Sequence, residues 1–377
     1  MITDNDVIDV DDLKGECNKL FKGKVILVTG GTGSFGHYII RELLNFDAKT
    51  IVVFSRDEDK QYKMEMEYKG GRVSFAPGDV FNKSDEEQML IRKNWKEDNL
   101  NFAVGDVRDL ERVREITKGI DIIYHAAALK QVPFSEFHPV ETIKTNVLGA
   151  YNIKLAAIEN KVDKVIAIST DKAVKPVNAM GMSKALQEKI LLSEGEIKYS
   201  TKFICVRYGN VLGSRGSVVP VFEEKISRGE PLTLTHKDMT RFILTLEDAV
   251  NLVLYATVHG TGGEVFVKKA PALKIPDLAH VFSQALTDKN DYPMNVTGIR
   301  PGEKIHEVLV SEDEMYRTKE EENYYVVYPY NFYLNMKENG NLGFFNKSNN
   351  VTEYTSAVTN ILSKDEILSL LKKTGWI

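Results

Sequence analysis

Through the first half of the chain, short runs of consecutive apolar residues, many of them β-branched, alternate with longer stretches whose apolar positions recur at helical spacing. The runs are VILVT (25–29), TIVVF (50–54), NFAVG (101–105), DIIYH (121–125), KVIAIS (164–169) and FICVRY (203–208). Strands separated by helix-length segments make βαβ units. A parallel sheet covered on both faces explains why these runs are apolar throughout instead of alternating. The pattern predicts an α/β fold with a Rossmann-type doubly wound parallel sheet over residues 21–210, rejoined at about 236–262. A smaller mixed α/β lobe is expected over 211–235 and 263–330, where Gly213, Gly216, Pro220 and Gly229-Glu230-Pro231 punctuate the chain. Residues 331–377 read as a C-terminal extension, and its stripe of Ile367, Leu368, Leu370 and Leu371 is expected to dock on the protein's own core or on a sister subunit.

One stretch breaks the rhythm. RVSFAPGDV (72–80) and LNFAVGDV (100–107) resemble each other, and the segment 81–100 between them has nine charged residues in twenty. The third core strand belongs to the second copy, because the helix-like LERVREIT follows it directly. Ser84 followed by Glu87 is a capping-box pattern that predicts a solvated helix inside the charged insert.

Composition narrows the class. At roughly 150 residues per domain, 377 residues make two lobes or one large unit with an appendage. Forty-nine Lys+Arg against 54 Asp+Glu give a net charge of −5 with no basic cluster, so nucleic acid is not an expected partner. Cys17 and Cys205 form neither a disulfide framework nor a metal-ligand spacing, which fits a reducing compartment and a protein without a metal site. The first twenty residues are acidic and lack a signal-peptide core. No window approaches the ~18 consecutive apolar residues of a membrane helix. A cytoplasmic location with no membrane contact is expected, and the sequons at Asn295, Asn346 and Asn350 read as chance.

The chemistry begins after the first strand, where Gly30, Gly31, Thr32, Gly33, Ser34, Phe35 and Gly36 lead into the helix HYIIRELLNF. A strand running into a glycine-rich turn that opens a helix sets unpaired N–H groups and the positive end of the helix dipole against a pyrophosphate. The Gly30-x-x-Gly33-x-x-Gly36 spacing resembles the extended branch of the short-chain dehydrogenase/reductase superfamily. The second strand ends in Phe54-Ser55-Arg56. A hydroxyl followed by a guanidinium matches a ribose 2′-phosphate better than a 2′-hydroxyl, so NADP is favoured over NAD. Asp57 comes next, and a surface ion pair of Arg56 is the alternative. Asp106-Val107 suits an adenine edge, and Ala126, Ala127 and Ala128 after His125 are small enough to admit the cofactor.

The fifth strand ends in Ser169-Thr170-Asp171-Lys172, the end of the sheet at which such folds present their chemistry. Asp171 and Lys172 are adjacent titratable groups, and burial together with a neighbouring cation is expected to lower the lysine pKa toward a useful range. A surface ion pair is the bland alternative. Further on, Met180-Gly181-Met182-Ser183-Lys184 occupies the place of the superfamily's Tyr-x-x-x-Lys. A thioether cannot exchange a proton at neutral pH, so acid–base work must lie with other groups.

GGTGSFG, FSRDEDKQ, GDVRD, HAAALKQVP, TNVLGA, STDKAVKPVNAMGMSK, RYGNVLGSRGSVVP, MTRF and GIRPGEKIHE, in this order over roughly residues 21–330, resemble the inverting UDP-N-acetylglucosamine 4,6-dehydratases, most closely the capsule-type subgroup with Met at this position. The resemblance implies C4 oxidation by NADP⁺, loss of water across C5–C6, hydride return to C6 and inversion at C5. It implies Lys172 as the C5 base, Asp171 as proton donor at the C6 oxygen, and Thr170 near O4. Lys184 would hold the nicotinamide ribose and assist at O4 through water, with Met180 beside it and Lys60 in the cofactor site. Lys130, Asn210, Arg215, Ser217, Arg241 and Arg300 are implied for the UDP-sugar site, with Glu303 and His306 in support; His306 is also read as a solvated helix residue. Asn146 is either a backbone-organising residue or a satisfied helix amide. A homo-oligomer, dimer or hexamer, is implied as well. A UDP-N-acetylhexosamine 4-epimerase and a non-catalytic NADP-binding protein are the competing readings.

Overall fold

The computed structural model describes residues 10–69, 99–193, 199–213, 217–345 and 352–377. Six strands stand where the apolar runs predict them: β1 (Val25–Thr29), β2 (Thr50–Ser55), β3 (Leu100–Val104), β4 (Ile122–His125), β5 (Lys164–Ile168) and β6 (Lys202–Arg207). The remaining strands are β7 (Asn210–Val211), β8 (Leu232–Leu234), β9 (Thr240–Leu244), β10 (Val265–Lys268), β11 (Ala272–Lys274), β12 (Met294–Val296), β13 (Val308–Val310), β14 (Thr318–Glu320), β15 (Tyr324–Val327) and β16 (Tyr354–Thr355). The main sheet runs β14-β15-β10-β6-β5-β4-β1-β2-β3. Its members from β3 to β10 pair in parallel, whereas β15 and β14 join antiparallel. This is the doubly wound order, with β1 and β4 side by side where the winding reverses.

Successive residues of one strand serve opposite faces. Ile26 and Val28 belong to one apolar cluster and Leu27 to another, and Ile166 and Val165 divide in the same way. A third cluster fills the smaller lobe and includes Phe222, Phe282, Ile367, Leu371 and Trp376. The C-terminal stripe therefore docks on this chain's own core, on a helix, Lys364–Lys373, started by a capping box of Ser363 and Glu366.

Three boundaries move. The strands at 265–268, 318–320 and 324–327, assigned by sequence to the smaller lobe, extend the main sheet, because Val265, Phe266 and Val267 form one more fully buried parallel run beside β6. Conversely β9, assigned to the main sheet region, pairs with β7 and β11 in a small sheet of its own. The acidic N-terminus also contributes to the core. Residues Val10–Phe21 form a helix whose Leu13, Cys17 and Phe21, each four apart, are buried. That stripe packs on the helix Leu246–His259, and Glu16 meets His259 at 3.4 Å. Burial pushes the Cys17 thiol up to about 12, so it is an inert packing group. The capping box at Ser84, most of the charged insert, and the sequons at Asn346 and Asn350 lie outside the described residues, while Asn295 sits exposed on β12.

Candidate active site

The phosphate-type turn is built by backbone. Gly30 has φ +68, and a side chain there would stand 2.8 Å from the Ala127 amide nitrogen. A side chain on Gly36 would run into the Gly31 carbonyl, so this glycine lets the helix start flush against the turn. Gly33 precedes the helix Ser34–Leu43 without any side-chain cap, leaving the first-turn amides available to an anion.

The turn opens into a cleft of about 650 Å³ that gathers nearly every residue singled out by the sequence for a cofactor: Gly30, Thr32, Gly33, Ser34, Phe35, Gly36, Ser55, Arg56, Lys60, Asp106, Val107, Ala126, Ala127, Ala128 and Lys184. On one wall Arg56 lies 3.7 Å from Asp106, which Arg108 also holds at 2.6 Å. Partial burial pushes the Asp106 carboxyl up, but the Arg108 hydrogen bonds and the two guanidinium charges outweigh it and leave the pKa lowered. Lys60 pairs with Asp57 at 2.6 Å, and Arg56, unlike Arg108, lines the cleft. The turn geometry, the uncapped helix and the alanine wall fit a dinucleotide.

Thr170, Lys172, Met180 and Lys184 line the same cleft. Asp171, in a short 3-10 turn after β5, is fully buried behind them; its Oδ1 accepts from Thr170 Oγ1 at 2.8 Å and from Lys172 Nζ at 2.9 Å. Its Oδ2 is buried without a hydrogen-bond partner among the described residues. Met180 is buried on the helix Ala179–Leu192, one turn before Lys184. Asn178 caps that helix by accepting from the Gly181 amide at 2.7 Å. Lys184 donates to the Ile168 carbonyl at 2.6 Å and to Gln187 at 2.8 Å, and burial drags its pKa down to about 8. Asn146 does organise backbone: it accepts from the Leu129 amide at 2.8 Å, donates to the Leu129 carbonyl at 2.9 Å, and donates to Ser183 Oγ at 2.9 Å. It sits in a π-helical segment, Ile143–Leu148, a distortion frequent at functional sites.

The expected lowering of the Lys172 pKa is corrected. Burial alone lowers it, as argued from sequence, but Asp171 and then Glu307, whose Oε1 is 3.8 Å away, outweigh both burial and the Arg241 charge, so the net shift is upward. Glu307 was not singled out by the sequence, although it ends the motif GIRPGEKIHE; its buried carboxylate contact with β5's turn comes from far along the chain.

The substrate residues divide. Lys130, Asn210 and Ser217 line the cleft. Asn210 Oδ1, Ser217 Oγ and Thr145 Oγ1 are buried there without partners among the described residues, the state of polar groups that a ligand completes. Arg215 lies outside the described residues. Arg241 is buried but turned toward the loop before β13, donating to the Ile305 carbonyl at 3.1 Å with Glu303 at 3.8 Å, and Arg300 is exposed on that loop. Neither arginine lines the cleft wall. His306 is not a solvated helix residue: it lies in the irregular loop, half-buried, sharing a 2.8 Å hydrogen bond with Thr240 Oγ1.

The family described as "Polysaccharide biosynthesis protein" matches residues 26–329. A UDP-glucose 4-epimerase of Rickettsia rickettsii is 43% identical over 81% of this chain and 83% of its own length. A protein of Methanocaldococcus jannaschii described as an uncharacterized membrane protein is 38% identical over 96% of this chain and 99% of its own. Among the described residues here, no helix is long and apolar enough to cross a membrane. Among solved structures, Pen from Bacillus thuringiensis aligns with TM-score 0.77 at 31% identity, covering 93% of this chain and 99% of Pen. The fold alone is shared with DesIV, the dTDP-glucose 4,6-dehydratase of Streptomyces venezuelae solved with NAD, at TM-score 0.60 and 19% identity over 74% of this chain and 86% of DesIV. The chain belongs to the polysaccharide biosynthesis protein family, with an extended short-chain dehydrogenase/reductase fold, and its relatives include nucleotide-sugar epimerases.

Proposed function

We propose that this member of the polysaccharide biosynthesis family is an NADP-dependent UDP-N-acetylglucosamine 4,6-dehydratase that inverts C5, forming UDP-2-acetamido-2,6-dideoxy-β-L-arabino-hexos-4-ulose. One observation carries the reading: Lys172 lines the cleft and stands 2.9 Å from Asp171, buried directly behind it, so a base and an acid adjoin, while the superfamily's tyrosine position holds Met180. Elimination across two neighbouring carbons needs such a pair, whereas simple C4 chemistry needs a single proton carrier at O4. NADP, when bound, supplies the hydride acceptor for C4 and the donor for C6. The glycine turn and Ser55, Arg56, Lys60, Asp106 and Val107 would hold its adenosine diphosphate half, and Lys184 its nicotinamide ribose.

The chain's own residues then move protons. Thr170 hydrogen-bonds near O4, and Lys184, through water, takes the O4 proton. With a ketone at C4 the C5–H bond is weakened. Neutral Lys172 takes that proton, the electron pair forms C5=C6, and the C6–O bond breaks with a proton from Asp171, so water leaves. The Lys172–Asp171 pair is reset by passing one proton from ammonium to carboxylate, and C5 is reprotonated on the opposite face by water, which the proton released from O4 to solvent balances. Asn210, Ser217 and Lys130, with Arg215, Arg241 and Arg300, would bind the UDP portion. Guanidinium forks suit a diphosphate.

The test is incubation with UDP-N-acetylglucosamine in heavy water. Loss of one water with deuterium at C5 is expected. Isomerisation without mass loss would support the second reading, a 4-epimerase, which the 43% identity to the Rickettsia protein favours; no change would leave a dinucleotide binder. We further take the protein to be a homo-oligomer. The helices through residues 143–159 and 179–192 pack together and expose Ile143, Leu148, Tyr151, Met182 and Leu186, an apolar face a second copy would cover. Leu186→Glu is expected to reduce the particle mass seen by light scattering.

A further inference from the structure

The loop from Arg300 to Glu307 grips the catalytic segment at three points. The Gly302 carbonyl accepts from Asn178, the cap of the Met180–Lys184 helix, at 2.7 Å. Lys304 donates to the Val174 carbonyl, just past the catalytic turn, at 2.7 Å. Glu307 then reaches the turn itself, with its Oε1 3.8 Å from Lys172 Nζ. Gly302 has φ +77 and Asn178 leaves no room for a side chain on it, so the loop's approach is fixed by backbone. Glu307 is only 3% exposed, and a carboxylate so deeply buried is costly to keep without a charge-related role.

We propose that Glu307 is a positioning residue that holds the Lys172 ammonium as a second carboxylate beside Asp171 and strengthens Lys172 as a base. This rests on the dehydratase reading and deepens it. The groups facing Lys172 are Asp171, Glu307, Arg241 and Lys304; those facing Glu307 are Asp171, Lys172, Arg241 at 4.0 Å and Lys304 at 3.7 Å. Burial, then Asp171, lift the Glu307 pKa, while the three cations oppose the lift. Removing a proton from C5 leaves an ammonium on Lys172, and a negative neighbour stabilises that product of the step. By Brønsted behaviour a more basic amine removes a carbon-bound proton faster once it is deprotonated.

Glu307→Gln keeps the shape and removes the charge, so two changes of opposite sign are expected. The ascending limb of kcat/KM against pH moves to lower pH by about one unit, as for loss of an opposite charge within ~4–6 Å. At the same time the high-pH plateau falls, and the isotope effect with substrate deuterated at C5 rises because that step becomes slower. A merely structural lesion lowers the plateau without moving the limb. Glu307→Asp, which keeps the charge, is expected to leave the limb in place and recover part of the plateau. A titration of Lys172 by heteronuclear NMR in the ligand-free protein, assigned with Lys172→Met, is expected to show a lower pKa in Glu307→Gln, or a parent-like one in Glu307→Asp should the former not fold. An unmoved limb and an unmoved Lys172 pKa in folded Glu307→Gln, or a limb displaced to lower pH in Glu307→Asp, would overturn the proposal. The NMR titration uses no substrate, so failure of the dehydratase reading shows separately, as absence of water loss in the parent protein.

Discussion

The two halves of the cleft are made differently. The cofactor half is a matter of backbone: Gly30 at φ +68, Gly36 against Gly31, and an uncapped helix start, all within seven residues of sequence. The half proposed for catalysis and substrate is backed by side-chain charge assembled across long sequence separations. Lys172 meets Glu307, and Arg241 meets Glu303. Backbone geometry is fixed by local sequence and survives most surface changes, whereas a buried charge cluster depends on every member, because removing one leaves another unpaired.

That contrast makes unequal variants. General acid–base groups contribute about 10²–10⁴-fold, so Lys172→Ala is expected to lower kcat roughly a thousandfold, with cofactor-dependent stabilisation unchanged, as product NMR and thermal unfolding would report. Parent-level turnover in that variant would remove the charge half from the mechanism. In the backbone half, a ligand at a hundred times its Kd adds about 2.7 kcal/mol of stability. Gly30→Val is expected to lose that gain for NADP; a retained rise in Tm would mean that the dinucleotide binds elsewhere.

Lys184 joins the halves and gives a signed pH test. Its folded pKa is lowered to about 8 from 10.5, so between these values the unfolded chain binds a proton that the folded one does not. Stability from this group therefore rises with pH across that window, on the order of 3 kcal/mol. Below about pH 8 its full penalty applies. Denaturant unfolding of the parent relative to Lys184→Met is expected to show the parent gaining stability as pH rises through the window, and a flat difference would refute the shift. The smallest effect falls on the rim of the backbone half. Arg56→Ala is expected to weaken NADP about tenfold, the size of one charge-assisted hydrogen bond, and to leave NAD unchanged; equal weakening of both would make Arg56 only a partner of Asp106.

The same contrast decides what could be read in advance. The six core strands were legible because residues such as Val165, Ile166 and Ala167 are buried on both faces, and the glycine turn because its parts are contiguous. The N-terminal helix was hidden because Leu13, Cys17 and Phe21 are diluted among acidic neighbours, and spacing of four alone is a weak signal. Strands β10, β14 and β15 were misassigned because runs of three or four residues carry no topology. The Lys172 pKa is raised and not lowered because its strongest charged neighbour is the adjacent Asp171 carboxylate and not a cation, and Glu307, 135 positions downstream and so invisible locally, adds to it. Arg241 and Arg300 were placed by motif, and their orientation depends on the loop that carries Glu303 and Glu307.

The most direct measurement follows a label through the reaction. UDP-N-acetylglucosamine carrying deuterium at C4 is incubated with the protein and NADP, and the product is read by NMR. The account predicts that the label leaves C4 and reappears in a C6 methyl group, since the hydride taken from one carbon returns to the other. Label that stays on C4 while the sugar changes configuration there would contradict it.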